Sequence, residues 1–203
     1  MKKEETKIVD NLSVVVPVYN DQEVLQELYR RLNPVVESLA THYEIVLVDD
    51  GSKDHSWDEI MKLREADDHI VAVKLARNFG QQNSIAAGLN VAKGEIIVLM
   101  DSDLQDRPED IPVLIDTLLK SGTQMAIAQW QTRQDTWAKR TVSNIFNRVS
   151  NTITAIHIEP HLGVFRAIRR SVVDELKKFP EKPSTTLSLH YYIGANYAIA
   201  PLK

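Results

Sequence analysis

The stretch GEIIVLMDSDLQDRPED, residues 94 to 110, decides the fold of this chain. Residues 96 to 100 are consecutive apolar residues, too few for a helix and rich in branched side chains, which is typical of a strand buried on both faces of a sheet. Asp101, Ser102 and Asp103 follow directly. Because ligands bind outside the carboxyl ends of the strands in open α/β sheets, these carboxylates are predicted to face a cleft.

The acidic residues after this strand have two explanations. Carboxylate oxygens at Asp101 and Asp103 suit Mg²⁺ or Mn²⁺, because both ions prefer hard oxygen ligands and take further ligands from water and from a substrate's phosphates. Alternatively, the acidic residues solvate a turn and cap the next helix, a role that Pro108 at the first helical position and Glu109 in the first turn fit well. Capping does not require Asp101 and Asp103, so this stretch alone leaves both explanations open.

Composition predicts a single domain. A chain of 203 residues, 43% of them hydrophobic, can bury a sizeable core, and no linker, repeat or low-complexity tract divides it. The chain contains no cysteine, which excludes a disulfide framework and thiolate chemistry. The longest apolar runs are shorter than a membrane span, and the N-terminus lacks the apolar core of a signal peptide, so the cytoplasm is the expected location.

Charge is distributed unevenly along the chain. A formal net charge of −4 argues against non-specific nucleic-acid binding. Residues 133 to 178, however, contain nine Lys and Arg against four Asp and Glu, a net charge of +5. Such a basic segment can face an anionic membrane surface or a phosphorylated acceptor, and a solvated helix face is the alternative.

Strand and helix patterns alternate five times along the chain. This alternation predicts an α/β fold with one mostly parallel central sheet, flanked by helices and connected by right-handed crossovers. Asn20 followed by Glu23 is a capping-box pattern that predicts the start of the first helix, and Ser52 or Asp54 is expected to cap the second. The predicted strands are residues 12–19, 43–48, 70–76, 96–100 and 125–129.

Two further polar segments follow predicted strands. The adjacent carboxylates Asp49 and Asp50, after the second strand, resemble the phospho-acceptor pocket of response regulators, but the chain lacks the further Asp and Lys at strand ends that a receiver would use. The alternative role for these carboxylates is recognition of a nucleotide by hydrogen bonds to its base or ribose. Residues 77 to 84, after the third strand, open a helix N-terminus that favours anions, although a structural turn explains them equally well.

Several well-known sites of α/β sheets are missing. The seven glycines form neither Gly-x-Gly-x-x-Gly nor a P-loop, and no Gly-x-Ser-x-Gly elbow occurs, which argues against dehydrogenase, kinase and hydrolase functions. His157 and His161 have helical spacing, but Pro160 breaks the helix that a zinc pair would use, so we interpret them as loop histidines. Between residues 142 and 156 an apolar helical stripe is predicted, either to pack on the sheet or, beside Lys139 and Arg140, to insert at a membrane interface.

Five sequence blocks, in this order, resemble glycosyltransferase family 2, and together they cover nearly the whole chain. They are VPVYN (16–20), VDDGS (48–52), RNFG (77–80), DSDLQ (101–105) and GVFR (163–166). The resemblance implies the GT-A fold, with a Rossmann-like sheet, as one catalytic domain over residues 1–203 that begins with a polar leader at 1–11. RNFG and DSDLQ are similar to the polyprenyl-phosphate branch, which includes dolichol-phosphate mannosyltransferases. Residues 133–137 and 165–167 are most similar to the bacterial undecaprenyl-phosphate aminoarabinose transferase.

The resemblance also implies roles for individual residues, in three overlapping groups. The residues expected to bind substrates are Pro17, Tyr19, Asp21, Asp49, Asp50, Arg77, Ser102, Lys139 and Arg140. The expected ligands of Mg²⁺ or Mn²⁺ on the donor diphosphate are Asp101, Asp103 and Gln105. The expected catalytic residues are Asp101, Asp103, Arg133 and Arg166. Among the substrate-binding residues, Asp50, with Asp49, would read the base or ribose.

By the same resemblance, the chain is expected to be an inverting glycosyltransferase. It would move a sugar from a nucleotide-sugar donor, UDP-linked, to polyprenyl (undecaprenyl) phosphate at the inner, cytoplasmic face of the cell membrane. The alternatives are a saccharide acceptor in cell-wall or surface polysaccharide synthesis and a non-catalytic nucleotide-sugar-binding module. A homo-oligomer is left open, and no nucleic-acid partner is expected.

The chain departs from the family pattern in three places. Val164 stands where many relatives carry an acidic residue, so no carboxylate base is assigned there; a phosphate monoester with a second pKa near ~6 is already largely ionised at neutral pH. Trp130 stands where relatives often have an Arg, and Arg133 is the nearest substitute. Most relatives also continue into a basic loop and C-terminal membrane helices, whereas this chain stops at Lys203.

Overall fold

The computed structural model describes residues 7–130, 163–178 and 194–202, which form one seven-stranded sheet with helices on both faces. The strands are β1 (Val9–Val18), β2 (Ala40–Asp49), β3 (Ile70–Lys74), β4 (Ile96–Leu99), β5 (Met125–Trp130), β6 (Arg166–Arg169) and β7 (Tyr197–Leu202). The helices are α1 (Leu25–Leu39), α2 (Ser56–Ala66), α3 (Gln81–Val91), α4 (Ile111–Ser121) and α5 (Arg170–Lys177), with a 3-10 turn at Pro108–Asp110 before α4.

The strand order across the sheet is β3-β2-β1-β4-β6-β5-β7. β1 pairs in parallel with β2 and β4, β2 with β3, and β5 with β7. β6 alone is antiparallel, to β4 on one side and β5 on the other. The predicted α/β fold with a mostly parallel sheet is confirmed, and all five predicted strands are present with shifted ends. The sequence patterns do not predict β6 or β7.

Helices cover both faces of the sheet, which explains the continuous apolar run of β1. Val14 and Val16 pack in the core under α1, α2 and α4, whereas Val15 packs in the core under α3 and α5. Helix α3 approaches the sheet so closely that a Cβ on Gly88 would lie 2.3 Å from Val15 Cγ1. Alternate residues of each central strand therefore pack into the cores on opposite faces of the sheet, and polar side chains lie beyond the strand ends.

The predicted capping box at Asn20 is wrong. Helix α1 begins at Leu25, with Val24 as its N-cap residue and no side-chain cap, while Asn20 lies in the left-handed region with φ 57°. The Asn20 Oδ1 accepts a hydrogen bond from the Lys53 backbone N–H (2.8 Å). Asn20 therefore joins the loops after β1 and β2 instead of starting a helix.

The start of α2 also differs from the prediction, because its N-cap residue is His55 rather than Ser52 or Asp54. Asp54 lies one residue before the cap, where its Oδ1 accepts bonds from the backbone N–H and the hydroxyl of Ser56 (2.9 and 2.6 Å). Asp54 still orders the first turn of the helix. The Ser52 hydroxyl instead accepts a hydrogen bond from the Asn20 backbone N–H (3.0 Å).

The predicted amphipathic stripe at 142–156, together with His157 and His161, lies outside the described residues. In the ranges that the structure does describe, no helix has both the length and the apolar character needed to cross a membrane. The use of the stripe stays a prediction.

An ion pair between Arg31 of α1 and Glu109 of the 3-10 turn gives the fold a pH dependence. Arg31 donates to both Glu109 oxygens (2.8 and 2.6 Å), and this hydrogen bonding lowers the pKa of Glu109 from 4.5 to about 2. The Glu109 side chain is 43% exposed, so solvent weakens the pair to about 0.5–1 kcal/mol. Because the pKa is depressed, this contribution is present above pH 4.5 and is lost as the pH falls towards 2.

We therefore expect Glu109→Gln to lower the free energy of unfolding at pH 7 by about 0.5–1 kcal/mol. The difference from the unmodified protein should shrink as the pH is lowered below 4.5. Urea unfolding followed by circular dichroism at several pH values measures both effects. Glu65→Gln, which removes an exposed carboxylate, is the control. Its difference in unfolding free energy from the unmodified protein should not shrink in this way as the pH is lowered. A constant difference at all pH values would contradict the assignment.

Candidate active site

Polar side chains meet at the edge of the sheet where β1, β2 and β4 end. Because parallel strands place their carboxyl ends together, the segments that follow them surround a cleft of about 330 Å³. Its lining residues are Pro17, Val18, Tyr19, Asp21, Asp50, Asn78, Gly80, Gln81, Asp101, Ser102 and Asp103. The structure thus brings together the predicted residues Pro17, Tyr19, Asp21, Asp50, Asp101, Ser102 and Asp103.

Asp101, just beyond the end of β4, is held by two neighbours. Its backbone N–H donates to Asp106 Oδ2 (3.1 Å), and its Oδ1 accepts a hydrogen bond from Gln81 Nε2 (2.6 Å). Leu104, with φ 62°, allows the chain to turn back so that Asp106 reaches Asp101. In the described part of the chain, no group donates to the other carboxylate oxygen, Oδ2.

The charges around Asp101 favour a cation. Burial raises the pKa of Asp101 above its ordinary range, the negative charge of Asp103 raises it further, the hydrogen bond from Gln81 opposes the shift, and the charge of Asp21 adds to it. A carboxylate whose ionised form is disfavoured by burial and by like charges is stabilised when a cation binds it. The electrostatics of this end of the cleft therefore fit a divalent metal ion.

The donor set for such an ion consists of two carboxylates. Asp103 lines the cleft beside Asp101, and its Oδ1 accepts the Gln105 backbone N–H (3.0 Å). Gln105 itself is exposed and does not line the cleft, so its role as a ligand stays a prediction. Among residues 7–130, 163–178 and 194–202, no group of three or more His, Asp or Glu forms a complete metal site. Two carboxylates fit Mg²⁺ or Mn²⁺ because these ions complete their shells with water and phosphate oxygens.

Asp21 and Tyr19 form the wall of the cleft at the end of β1. The Ser102 hydroxyl donates to Asp21 Oδ2 (2.5 Å), which ties the segment after β1 to the segment after β4. The Ser56 hydroxyl accepts the Asp21 backbone N–H (2.9 Å) and fixes the same turn from the side of α2. Tyr19 is 40% exposed, so its ring offers an aromatic surface on which a base can stack.

Asp50 anchors the loop that follows β3. Its Oδ1 and Oδ2 accept the backbone N–H groups of Phe79 (2.8 Å) and Gly80 (2.9 Å), and the residue is only 3% exposed. Gly51, with φ +68°, lets this loop pass very close, because a Cβ there would lie 2.4 Å from the Arg77 carbonyl carbon and 2.6 Å from the Asn78 nitrogen. Part of the hydrogen-bonding capacity of Asp50 is thus used within the protein, and its reading of a base stays a prediction.

Three other predicted residues are placed away from the cleft surface. Asp49 is fully buried, and its Oδ1 accepts the Ser52 backbone N–H (3.1 Å). Arg77 is exposed, with its guanidinium 4.7 Å from the centre of the Phe79 ring. Arg166 is fully buried in β6, where it donates to the carbonyl oxygens of Val164 (3.1 Å) and Gly163, and burial lowers its pKa to about 10. These contacts give Asp49 and Arg166 structural roles in the turn and the β6 loop.

Arg133, Lys139 and Arg140 lie outside the described residues, so their predicted roles stay predictions. Conversely, the sequence reasoning missed Asn78, Gly80 and Gln81 as cleft residues. The available signal was the polar loop between a strand end and a helix start. It predicts an anion site in general, but which of its side chains reaches across to β4 depends on the strand order.

Comparisons with known proteins identify the family and the fold of the chain. The family model described as glycosyl transferase family 2 matches residues 13–177. Among solved structures, glucosyl-3-phosphoglycerate synthase from Mycobacterium tuberculosis, in complex with Mn²⁺, UDP-glucose and phosphoglyceric acid, has a TM-score of 0.65 at 18% identity, covering 91% of this chain and 64% of that one. The TarS 1–349 structure from S. aureus has a TM-score of 0.61 at 21% identity, covering 95% and 58%.

The synthase is also similar in its complex with Mn²⁺, UDP and glucosyl-3-phosphoglycerate, with a TM-score of 0.68 at 18% identity, covering 95% of this chain and 71% of that chain. At these identities the likeness shows the fold. The chain spans less than two thirds of the length of the first synthase structure and of TarS. The family match covers most of the chain and agrees with the five sequence blocks. This chain therefore belongs to glycosyl transferase family 2 and has its GT-A fold.

Proposed function

We propose that this chain is a metal-dependent, inverting glycosyltransferase that moves a sugar from a UDP-linked donor to polyprenyl phosphate. The observation that carries the proposal is the cleft that Asp101 and Asp103 line together with Tyr19 and Asp50. Its volume of about 330 Å³ is within the range of small-molecule sites. Membership of glycosyl transferase family 2 supports the reaction class.

The layout of the strands suits a nucleoside diphosphate. β1 lies between β2 and β4, so the strand ends that carry Asp50 and Asp101 are two strand spacings apart, about 10 Å. A base stacked on Tyr19 near the β2 side would leave the diphosphate beside Asp101 and Asp103 on the β4 side. One of the similar synthase structures contains UDP together with Mn²⁺, so a protein of this fold binds both.

Asp101 and Asp103 are the residues that would hold the metal ion. When bound, such an ion neutralises the negative charge that develops on a departing nucleoside diphosphate. The chain's own contribution is preorganisation: Gln81 and Asp106 fix Asp101, and the Asp21–Ser102 hydrogen bond fixes the adjoining wall. These contacts keep Asp101 and the adjoining wall in place without reorganisation during the reaction.

The proposed acceptor supplies its own nucleophile. A phosphate oxygen attacks the anomeric carbon from the face opposite the diphosphate, a new C–O bond forms, and UDP leaves with the electron pair of the broken bond, which inverts the anomeric centre. A phosphate monoester with a second pKa near ~6 is largely a dianion at neutral pH and needs no general base. This chemistry fits Val164 at the position where many relatives carry an acidic residue. The net charge of +5 in residues 133–178 supports docking at the cytoplasmic face of the membrane.

A second candidate keeps the donor site and uses a smaller acceptor. One of the similar structures contains phosphoglyceric acid together with UDP-glucose, so that protein binds a small phosphorylated compound as well as a UDP-sugar. A saccharide acceptor belongs to the same candidate. In both cases the donor cleft described above would be unchanged.

The test uses the purified chain with Mn²⁺, a panel of UDP-sugars and three acceptors: undecaprenyl phosphate in vesicles, 3-phosphoglycerate and an oligosaccharide. Mass spectrometry of the products should show the sugar on the lipid phosphate with inverted configuration, and EDTA should abolish transfer. Transfer only to phosphoglycerate or to the oligosaccharide would replace the polyprenyl acceptor by the second candidate. Mn²⁺-dependent UDP binding without any transfer would identify a non-catalytic binding module, and no UDP binding at all would refute the donor site.

A further inference from the structure

The Gln81 side chain links two segments of the cleft that follow different strands, the loop after β3 and the end of β4. It is the first residue of α3 and follows the loop after β3, yet its Nε2 lies 2.6 Å from Asp101 Oδ1, beyond the end of β4. β3 and β4 are separated in the sheet by β2 and β1, so the loop after β3 crosses the ends of both strands to make this contact. Gln81 therefore contacts one of the two proposed metal-binding carboxylates although it follows a strand that is not adjacent to β4.

The loop that delivers Gln81 is itself firmly attached. Asp50 accepts the backbone N–H groups of Phe79 and Gly80, the two residues before Gln81, at 2.8 and 2.9 Å. The Asn78 Oδ1 also accepts the Gly80 N–H (3.1 Å), and the Asn83 Nδ2 donates to the Phe79 carbonyl (2.7 Å). These bonds fix the peptide from which the Gln81 side chain projects. The amide can then engage Asp101 without the entropy cost of ordering a free loop.

We infer that Gln81 is a positioning residue for the metal ion: its amide holds Asp101 Oδ1, directs Oδ2 towards the cation, and is kept in place by the loop that Asp50 anchors. This inference rests on the proposed function. In the described part of the chain, Oδ2 of Asp101 accepts no hydrogen bond, so it is the oxygen left to bind the ion. A neutral donor suits this task, because it orients the carboxylate without neutralising the charge that attracts the metal.

The Gln81 amide is expected to affect the affinity for Mn²⁺ but not the affinity for UDP without metal. Loss of a side chain that orients a metal ligand weakens metal affinity by about 10- to 100-fold in known sites. Removing the Gln81 amide should therefore weaken Mn²⁺ binding in the presence of UDP by about tenfold, at the lower end of that range because Asp103 remains. UDP binding without metal should be unaffected, because in this arrangement the amide bonds to Asp101 and not to the nucleotide.

The experiment compares Gln81→Met, which keeps the length of the side chain but has no amide, with the unmodified chain. Titration of Mn²⁺ into protein saturated with UDP, followed by the electron paramagnetic resonance signal of free Mn²⁺, gives the metal affinity; calorimetry with UDP in EDTA gives the metal-free nucleotide affinity. Gln81→Ala is the second variant. Asn90→Ala, an exposed amide near the other end of α3, is the control and should leave both affinities unchanged. Thermal unfolding checks that each variant is folded.

A tenfold weaker Mn²⁺ affinity with unchanged metal-free UDP affinity in both Gln81 variants is the expected result. Equal Mn²⁺ affinity in Gln81→Met and the unmodified chain would overturn the inference. A parallel fall of UDP affinity in EDTA would also overturn it, since Gln81 would then contact the nucleotide directly. If the unmodified chain shows no cooperation between Mn²⁺ and UDP, the proposed donor site itself fails and the inference falls with it.

Discussion

Asp103→Asn is expected to cut sugar transfer by at least ~100-fold, the scale for losing a preorganised group that stabilises charge in the transition state. The substitution keeps the shape of the side chain but removes one of the two cleft carboxylates proposed to hold the metal ion. Asp101 would then be the one carboxylate left of the two proposed to hold the ion. We expect the same variant to lose the gain in UDP affinity that Mn²⁺ provides, measured by calorimetry with and without the metal.

Asp68→Asn is a matched control for this experiment. Asp68 is exposed and lies just before β3, at the amino ends of the parallel strands and thus across the sheet from the cleft. It should leave transfer and Mn²⁺-dependent UDP binding unchanged. Full turnover of the unmodified chain in EDTA, or full turnover of Asp103→Asn with Mn²⁺, would refute the metal site.

Gly51→Ala should destabilise the protein by about 2–5 kcal/mol, the sum of left-handed backbone strain and an overpacked contact. Gly51 has φ +68°, and a Cβ there would meet the backbone of Arg77 and Asn78 at 2.4 and 2.6 Å. Backbone atoms cannot swing aside like the end of a flexible side chain. Relief of the clash would require the loop to move and would break its two hydrogen bonds to Asp50. We therefore expect weaker UDP binding as well as a lower midpoint of urea unfolding.

Gly122→Ala is the control that introduces left-handed backbone strain without a steric clash. Gly122, the residue after α4, has φ +65°, but a Cβ there would meet nothing within 4 Å. Its replacement should cost only about 1–2 kcal/mol and leave UDP binding intact. Equal destabilisation by the two substitutions would mean that the close approach of the loop to Gly51 contributes nothing.

The central strands were predictable because their residues are buried on both faces. The apolar runs of β1, β2 and β4 need no knowledge of neighbours to be identified, and the carboxylates at 101 and 103 follow from the end of one such run. The alternation of strand and helix then predicts a parallel sheet, which places the ends of these strands at one edge. The family follows from the same blocks, and its match over residues 13–177 confirms it.

β6 was not predictable in this way because it has four residues and begins and ends with Arg. A charged side chain is expected at the surface, yet Arg166 is fully buried and bonds to the carbonyl groups of its own loop. The contact of Gln81 with Asp101 depends on the strand order and on the path of one loop. The predicted capping box at Asn20 is wrong for a similar reason, because the Asn20 side chain bonds to Lys53 on another loop instead of capping the helix. Long-range partners of this kind leave no periodic signal in the sequence.

The position of β6 in the sheet also affects strand pairing while the chain is still being synthesised. β4 and β5 are separated in the chain mainly by α4, but in the sheet β6 lies between them, so the side of β4 opposite β1 stays unpaired until residues 166–169 have been synthesised. At about 5–20 residues per second, ribosomes need several seconds to cover that distance. During this time a strongly apolar strand presents open backbone groups to other nascent chains. Aggregation during synthesis is therefore a hazard that this strand order creates.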